Sequence, residues 1–386
     1  MLTPACQGRC VCMLIKRRAF RRLRFEQLLL TITALCFLGG CDTSKPPKTQ
    51  ESAATELKQT IPAGSTIIKG AGATFPSLLY KRWFSAYHDI HPDTFIEYAA
   101  VGSGEGIRRF IGQSATEEEQ VDFGASDAAM TDQQLAEVNN NALMVPATAG
   151  CVVLAYNLPD VSGELKLSRQ AYAGIFLGEI TSWNHPLIAK SNPGIKLPKL
   201  TIVTVVRQDS SGTTFAFTRN LDAVNEQWRA QFGPATLVNW PGNAMRAKGN
   251  EGVAGLIQNS AGSIGYVGYE FARRIGLNVA TLENKSGDFI KPSPQSCAAG
   301  LATVMLPDNL RAFVPDPDGS DSYPVVTLSW ILLRKSYQNH DTAKALGSLL
   351  QWSLHDGQNY ASELGYVPLP SAVVDKAAAA VSTISP

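Results

Sequence analysis

Thr66-Ile67-Ile68-Lys69-Gly70-Ala71-Gly72-Ala73-Thr74-Phe75-Pro76 joins a β-branched run to a turn of small residues and then to a proline suited to a first helical position. The residues after it place Leu79, Trp83, Ala86, Tyr87 and Ile90 on one helical face before His91-Pro92 stops the helix. Thr94 to Ala99 reads as the next strand. Val121 to Ala125 and Leu200 to Val206 are two more, each running into a polar turn of small residues. Short β-branched runs alternating with stretches of helical period are the pattern of βαβ units, so an α/β fold around a largely parallel sheet is expected. No repeat of fixed period emerges.

Four strand ends share one character: Gly70 to Pro76, Val101-Gly102-Ser103-Gly104-Glu105-Gly106, Gly124-Ala125-Ser126-Asp127, and Arg207-Gln208-Asp209-Ser210-Ser211-Gly212-Thr213-Thr214. In an open α/β sheet the carboxyl ends of the strands meet at one crevice, and the following helices aim free N–H groups into it. Glycine lets a backbone come close, Ser and Thr add hydroxyl donors, and Arg207 brings a planar guanidinium that can grip a tetrahedral oxyanion through two parallel bonds. Asp127 is the oddity, because an acid at an anion site repels its ligand unless the ligand carries a proton. Phosphate does so near neutral pH, with phosphoester second pKa values of about 6, whereas sulfate does not. Asp127 reads equally well as an N-cap for a helix around Gln133 to Val138. Asp209 can orient Arg207, cap the helix starting near Thr213, or do both.

The N-terminus is a different object. Lys16, Arg17, Arg18, Arg21, Arg22 and Arg24 precede an apolar run from Leu28 to Leu38 that is too short to span a bilayer, which makes residues 1–40 a secretory signal starting at Met1 or Met13. Leu38-Gly39-Gly40-Cys41 has the form of a lipobox, with Cys41 as the lipidated first residue of the exported chain. Arg17-Arg18-Ala19-Phe20 has some likeness to a twin-arginine signal, although an arginine pair is a common coincidence in so basic a segment. Residues 41–64 are polar and proline-bearing, as a flexible tether would be. Residues 1–40 hold seven of the 34 Lys and Arg but only Glu26 of the 33 acids. The exported part is therefore mildly acidic, which excludes the broad basic field of a nucleic-acid binder. Past Cys41 only Cys151 and Cys297 remain. An oxidising compartment permits a bond between them, while Cys151, opening the apolar run through Tyr156, reads as a core residue.

Through Gly-Ala-Gly-Ala-Thr-Phe-Pro (70–76), Val-Asp-Phe-Gly-Ala-Ser-Asp (121–127), Arg-x-Asp-x-Ser-Gly-Thr (207–213), Gly-Asn-Glu-Gly-Val-Ala (249–254) and Gly-Ser-Ile-Gly-Tyr-Val (262–267), the chain resembles the periplasmic phosphate-binding proteins of high-affinity phosphate ABC transporters, from about Thr66 to the C-terminus. The first three motifs match those that supply the family's ligands; the last two look like structural marks. The resemblance implies phosphate donors from Thr74, Phe75, Ser103, Arg207, Ser211, Gly212 and Thr213, with Asp127 as proton acceptor and Asp209 as partner of Arg207. It implies a two-lobed periplasmic-binding-protein fold of type II, with residues 65–149 and 323–386 as one lobe and 150–322 as the other. The chain would cross twice between lobes that hinge shut over the ligand. It further implies permease and ATPase partners, a place on the periplasmic side of the cytoplasmic membrane, and no cofactor. Glu105 departs from the pattern at the second loop, where glycine or serine is commoner, and Ile111 to Gln120 is an acidic insertion read as a solvated surface loop.

An enzyme is the rival class. His88, His91, His185, His340 and His355 all avoid the four loops, no Gly-x-Ser-x-Gly or Walker-type Gly-Lys-Ser/Thr occurs, and no His/Asp cluster has metal spacing. Asp316 to Asp321 lacks the full ligand set of a calcium loop and reads as a turn. Sulfate or molybdate would be the alternative ligands, and Asp127 argues against both.

Overall fold

The computed structural model describes residues 61–112, 114–302 and 304–385. The signal, Cys41 and the tether up to residue 60 lie outside them. The opening stretch forms the expected unit: β1 (Thr66–Gly72) leads into α1 (Ser77–Ile90), with Pro76 at the N-cap, and β2 (Thr94–Ala100) returns parallel to β1 with Thr66 opposite Thr94. Leu79, Trp83, Ala86 and Tyr87 are buried as the helical period requires, but Ile90, the last helical residue, is 56% exposed. α2 (Ser103–Ile111) then leads to β3 (Phe123–Ser126), which joins β1 on its other side. β3 starts two residues later than the apolar pattern indicated, because Asp122 carries an N–H to Lys69 O and takes the Lys69 N–H on its carboxylate. The acidic insertion supplies a short 3-10 turn, Glu117–Glu119, and Glu119 pairs with Arg108 at 3.0 Å.

The element that organises the rest is β4 (Ala142–Tyr156), fifteen residues of which all but Leu143 are buried. Its first ten residues run antiparallel to β9 (Val326–Arg334), and its last five pair instead with β7 (Ser263–Gly268). Beyond β7 lie β5 (Val203–Arg207) and β6 (Met245–Ala247), both parallel to it in sequence, while β8 (Asn278–Val279) pairs with the end of β4. The sheet order is β2-β1-β3-β9-β4-β7-β5-β6. One parallel half carries β1 to β3, the other β5 to β7, and the antiparallel pair β4 and β9 runs between them. The carboxyl ends of β1, β3 and β5 thus face one region from opposite halves. β5 begins at Val203 rather than Leu200, because Thr201 bridges to Ser182 and leaves the ladder.

Cys151 and Cys297 form a disulfide, with Cα atoms 5.6 Å apart and both residues fully buried. Cys151 is both a core residue and a bonded one. It sits where β4 passes from β9 to β7, and Cys297 lies on α7 (Pro294–Leu301).

Candidate functional site

The four glycine-bearing loops converge. Ser103 opens α2, Asp127 follows β3, and Ser211 caps α4 (Gly212–Val224) by accepting from Thr214 N at 3.1 Å. Ser103 Oγ accepts N–H groups from both Asp127, 3.2 Å away, and Gly212, 3.0 Å away. The two halves touch closely here. A Cβ on Gly212 would lie 2.5 Å from Asp127 Cβ, and one on Gly102, whose φ of +103° already favours glycine, would lie 2.3 Å from Asp209 Oδ2.

Arg207, at the end of β5 and only 2% exposed, sends Nε to Asp209 Oδ1 at 2.9 Å, Nη2 to Asp209 Oδ2, and Nη1 to Thr213 Oγ1 at 3.3 Å. Burial works against the Asp209 charge, yet the Arg207 bonds hold its carboxyl below the usual range. Asp209 also accepts Gly249 N at 3.1 Å. It does not cap α4, since Ser211 fills that role, and the cap of α3 (Asp132–Glu137) is Thr131 rather than Asp127. Glu105, the departure at the second loop, is drawn away from it: its carboxylate takes Arg108 Nε at 2.8 Å and Arg109 Nε at 2.8 Å. The Arg108 bonds, more than those of Arg109, pull its pKa down to about 2.

Asn250, second residue of α5 (Gly249–Gln258), belongs to a motif whose sequence has the look of a structural mark, yet it ties the two halves together. Its Nδ2 donates to Thr74 Oγ1 at 3.0 Å and to Thr213 Oγ1 at 3.2 Å, its N–H reaches Thr74 Oγ1 at 3.2 Å, and Gly268 N fixes its Oδ1 at 2.9 Å. Thr74, Thr213 and Ser103 each therefore accept two N–H bonds. A hydroxyl oxygen has two lone pairs, so each of these groups is left with its own O–H to donate. With the two Arg207 protons not used on Asp209 or Thr213, they form a buried shell of oriented donors. Phe75 places its ring, fully buried, against Gly150 and Tyr366, and its carbonyl accepts Tyr366 Oη at 2.6 Å; only its N–H is left to face the loops. Ser211 N is bonded to Thr236 O, which leaves Ser211 its hydroxyl.

Asp127 is the acceptor in this shell. It is 1% exposed, and Ser329 Oγ donates to its Oδ1 at 2.7 Å. Burial pushes its pKa up to about 7, opposed by the Ser329 bond and by the Arg207 charge. Ser329 lies within an apolar strand where β9 and β4 slip register, Ser329 opposing Thr148 and Trp330 opposing Pro146, and such an irregularity re-aims a side chain. Replacing Ser329 by alanine is expected to raise the Asp127 pKa by about one to two units, since a hydrogen bond to a charged group contributes about 1.5–3 kcal/mol. A pH titration of ligand preference would show the change as a shift of the whole profile to higher pH; an unmoved profile would rule the role out. Outside this shell the loops open into a cavity of about 850 Å³ lined by Thr74, Ser77, Lys81, Gly104, Asp209 and Gly249.

Residues 49–356 match the family model described as a PBP superfamily domain. The phosphate-binding protein PstS of Pasteurella multocida is 39% identical over 312 residues, covering 80% of this chain and 88% of that one. The chain belongs to the PstS phosphate-binding protein family. The Haemophilus influenzae member is 37% identical over 319 residues, covering 82% and 92%, and that of Methanocaldococcus jannaschii is 33% identical over 341 residues, covering 82% and 86%. The fold is shared with the phosphate-binding protein of Stenotrophomonas maltophilia, at a TM-score of 0.67 with 21% identity over 82% of this chain and 94% of that one. It is also shared with the high-affinity periplasmic phosphate-binding protein PfluDING, solved with phosphate bound, at a TM-score of 0.66 with 23% identity over 81% and 93%. The architecture is the two-lobed periplasmic-binding-protein fold that the resemblance implies; the strand pattern by itself points only to an α/β fold around a largely parallel sheet.

Proposed function

We propose that the protein captures inorganic phosphate outside the cytoplasmic membrane and delivers it to the permease and ATPase subunits of an ABC importer, without transforming it. The observation that carries this reading is one acceptor, Asp127, set among donors whose orientation is enforced by bonds already made. A fully donating shell suits any tetrahedral oxyanion; a shell with one buried acceptor suits an oxyanion bearing one proton. Thr74, Phe75, Ser103, Arg207, Ser211, Gly212 and Thr213 would donate, Asp127 would accept, and Asp209 would hold Arg207. The five histidines lie apart from these residues, and among the described residues no group of His, Cys, Asp and Glu is arranged to hold a metal.

In this reading residues 65–149 and 323–386 are one lobe and 150–322 the other, with β4 and the approach to β9 as crossings, and the phosphate lies between them. Membership of the PstS family and the Cys151–Cys297 bond, which persists in oxidising compartments, support an exported protein. Lipid on Cys41 would tether it to the periplasmic side of the membrane.

Calorimetric titration of residues 42–386, freed of bound ligand, is expected to give a phosphate Kd near micromolar, about −8 kcal/mol, and no sulfate binding above neutral pH. Failure to bind phosphate would sink the proposal and make phosphate-ester turnover the next reaction to assay.

A further inference from the structure

A second buried acid lies behind the donor shell. Glu270, on α6 (Tyr269–Arg274), is 1% exposed, and neither of its carboxylate oxygens has a hydrogen-bond partner. Its carboxyl occupies the space that a side chain at Gly268 would fill: a Cβ there would lie 2.0 Å from Glu270 Oε1. Gly268 is the residue whose N–H fixes Asn250, so Glu270 lies against the backbone that pins the Thr74 and Thr213 hydroxyls. On its other side is the opposite lobe. A Cβ on Gly365 would come within 3.6 Å of the Glu270 Cα, and Arg273 Nη1 reaches across to Glu363 O at 3.1 Å, at the end of α8 (Asn359–Leu364). Glu270 is thus enclosed by a seam between residues of the two proposed lobes.

The charged and titratable groups around that seam leave it uncompensated. Arg273 on the same helix is turned to Glu363 O, and Arg274 lies 3.7 Å from Glu251 of α5. Tyr269, Glu363, and Tyr266 of β7 bring no bond to it, and Tyr366 donates to Phe75 O. Burial, the largest influence, pushes the Glu270 carboxyl well above its usual range; the Glu270 backbone N–H opposes it and the Asp127 charge adds to it. An ionised carboxylate without partners in such a place is strongly disfavoured, and the group takes a proton instead.

We propose that Glu270 binds a proton each time the cleft closes on phosphate, which couples ligand capture to proton uptake at the seam between the lobes. The inference rests on the receptor reading and adds a determinant of affinity outside the ligand shell. The sign follows from the two states. In the open form, with the seam solvated, Glu270 titrates near an ordinary glutamate, about 4.3; in the closed form it stays neutral to higher pH. Closure is therefore unhindered at acid pH and weakened by about tenfold per pH unit as pH rises between the two pKa values.

Phosphate titrations in buffers of different ionisation enthalpy count the protons taken up, and comparing wild type with Glu270→Gln and Glu270→Met removes the contributions of phosphate and Asp127. Between the open-state and closed-state pKa values the wild type is expected to take up as much as one proton more per phosphate than either variant, so the counts are compared across about pH 5 to 8. Both variants should bind more tightly than wild type, with the gap widening toward alkaline pH. In wild type labelled with 13C-glutamate, phosphate should bring out a carboxylic-acid carbonyl band carrying the isotope shift, which separates Glu270 from Asp127 without any variant. Equal proton counts with parallel pH profiles, or no labelled band, overturn this inference alone; absence of phosphate binding by the wild type overturns it together with the receptor reading.

Discussion

Asp127→Asn should abolish the preference for phosphate over sulfate, a change on the order of 10⁴–10⁵ in relative affinity. The wild-type carboxylate faces the ligand with an acceptor that sulfate cannot satisfy, because sulfate is fully ionised near neutral pH and has no proton to donate. Asparagine keeps the shape, and Ser329 can still donate to its carbonyl oxygen, but its NH₂ presents a donor where the second oxygen stood. Sulfate should then bind and phosphate should lose part of its affinity. The wild type contains its own version of this experiment. With its pKa raised to about 7, chiefly by burial, Asp127 is protonated in acid and becomes a donor itself. Sulfate affinity should therefore be greatest and nearly level below about pH 6, where Asp127 is protonated, and fall about tenfold for each pH unit above 7. Competition titrations at pH 5.5 and 8.5 decide the matter: selectivity that is equal at both pH values, or that survives in the asparagine variant, would mean that discrimination lies elsewhere than in Asp127.

What could be seen beforehand at this site, and what could not, follows from the range over which each signal acts. Arg207 and Asp209 are two residues apart, so their pairing was one of two local options, and the structure removes the other by giving the helix cap to Ser211. Asp127 likewise had a local alternative, and it fell for the same kind of reason: Thr131, four residues on, forms the capping box with Gln134. Ser329 had no local signal at all. It is one of two hydroxyls, with Thr327, within Val-Thr-Leu-Ser-Trp-Ile-Leu-Leu, 202 positions from the carboxylate it serves, and the register slip between β9 and β4 falls beside it. Asn250 stood in a motif that could be quoted but not assigned, because its partners Thr74 and Thr213 lie 176 and 37 residues away. Strands and helices announced themselves through periodicity, which is a property of neighbours. The donor orientation is a property of bonds across the cleft, and it appears only once both halves are in place.

Reducing the disulfide should destabilise the protein without weakening its ligand site. Cys151 and Cys297 are 146 residues apart, and closing a loop of that length removes denatured-state entropy equivalent to about 5 kcal/mol, with measured losses in the range of about 2–5 kcal/mol. The loop spans nearly the whole of the proposed second lobe, residues 150–322, so in the oxidised protein the unfolded form of that lobe is still a ring. Urea unfolding with and without reductant, and of a Cys151→Ala/Cys297→Ala double variant, should show a lower midpoint. The slope should be steeper, because the released chain exposes more surface when it unfolds. Native-state hydrogen exchange should localise the loss, with amides of α4, β5 and β7 becoming less protected to a greater extent than those of α1 and β1. Phosphate affinity of the folded reduced form should be unchanged, since neither sulfur belongs to the Arg207, Asn250 and Asp127 network. Identical midpoints in the two redox states would show that the buried strand β4, rather than the covalent link, holds α7 to the crossing. A loss of phosphate affinity in the still-folded protein would instead place the link within the closure of the cleft.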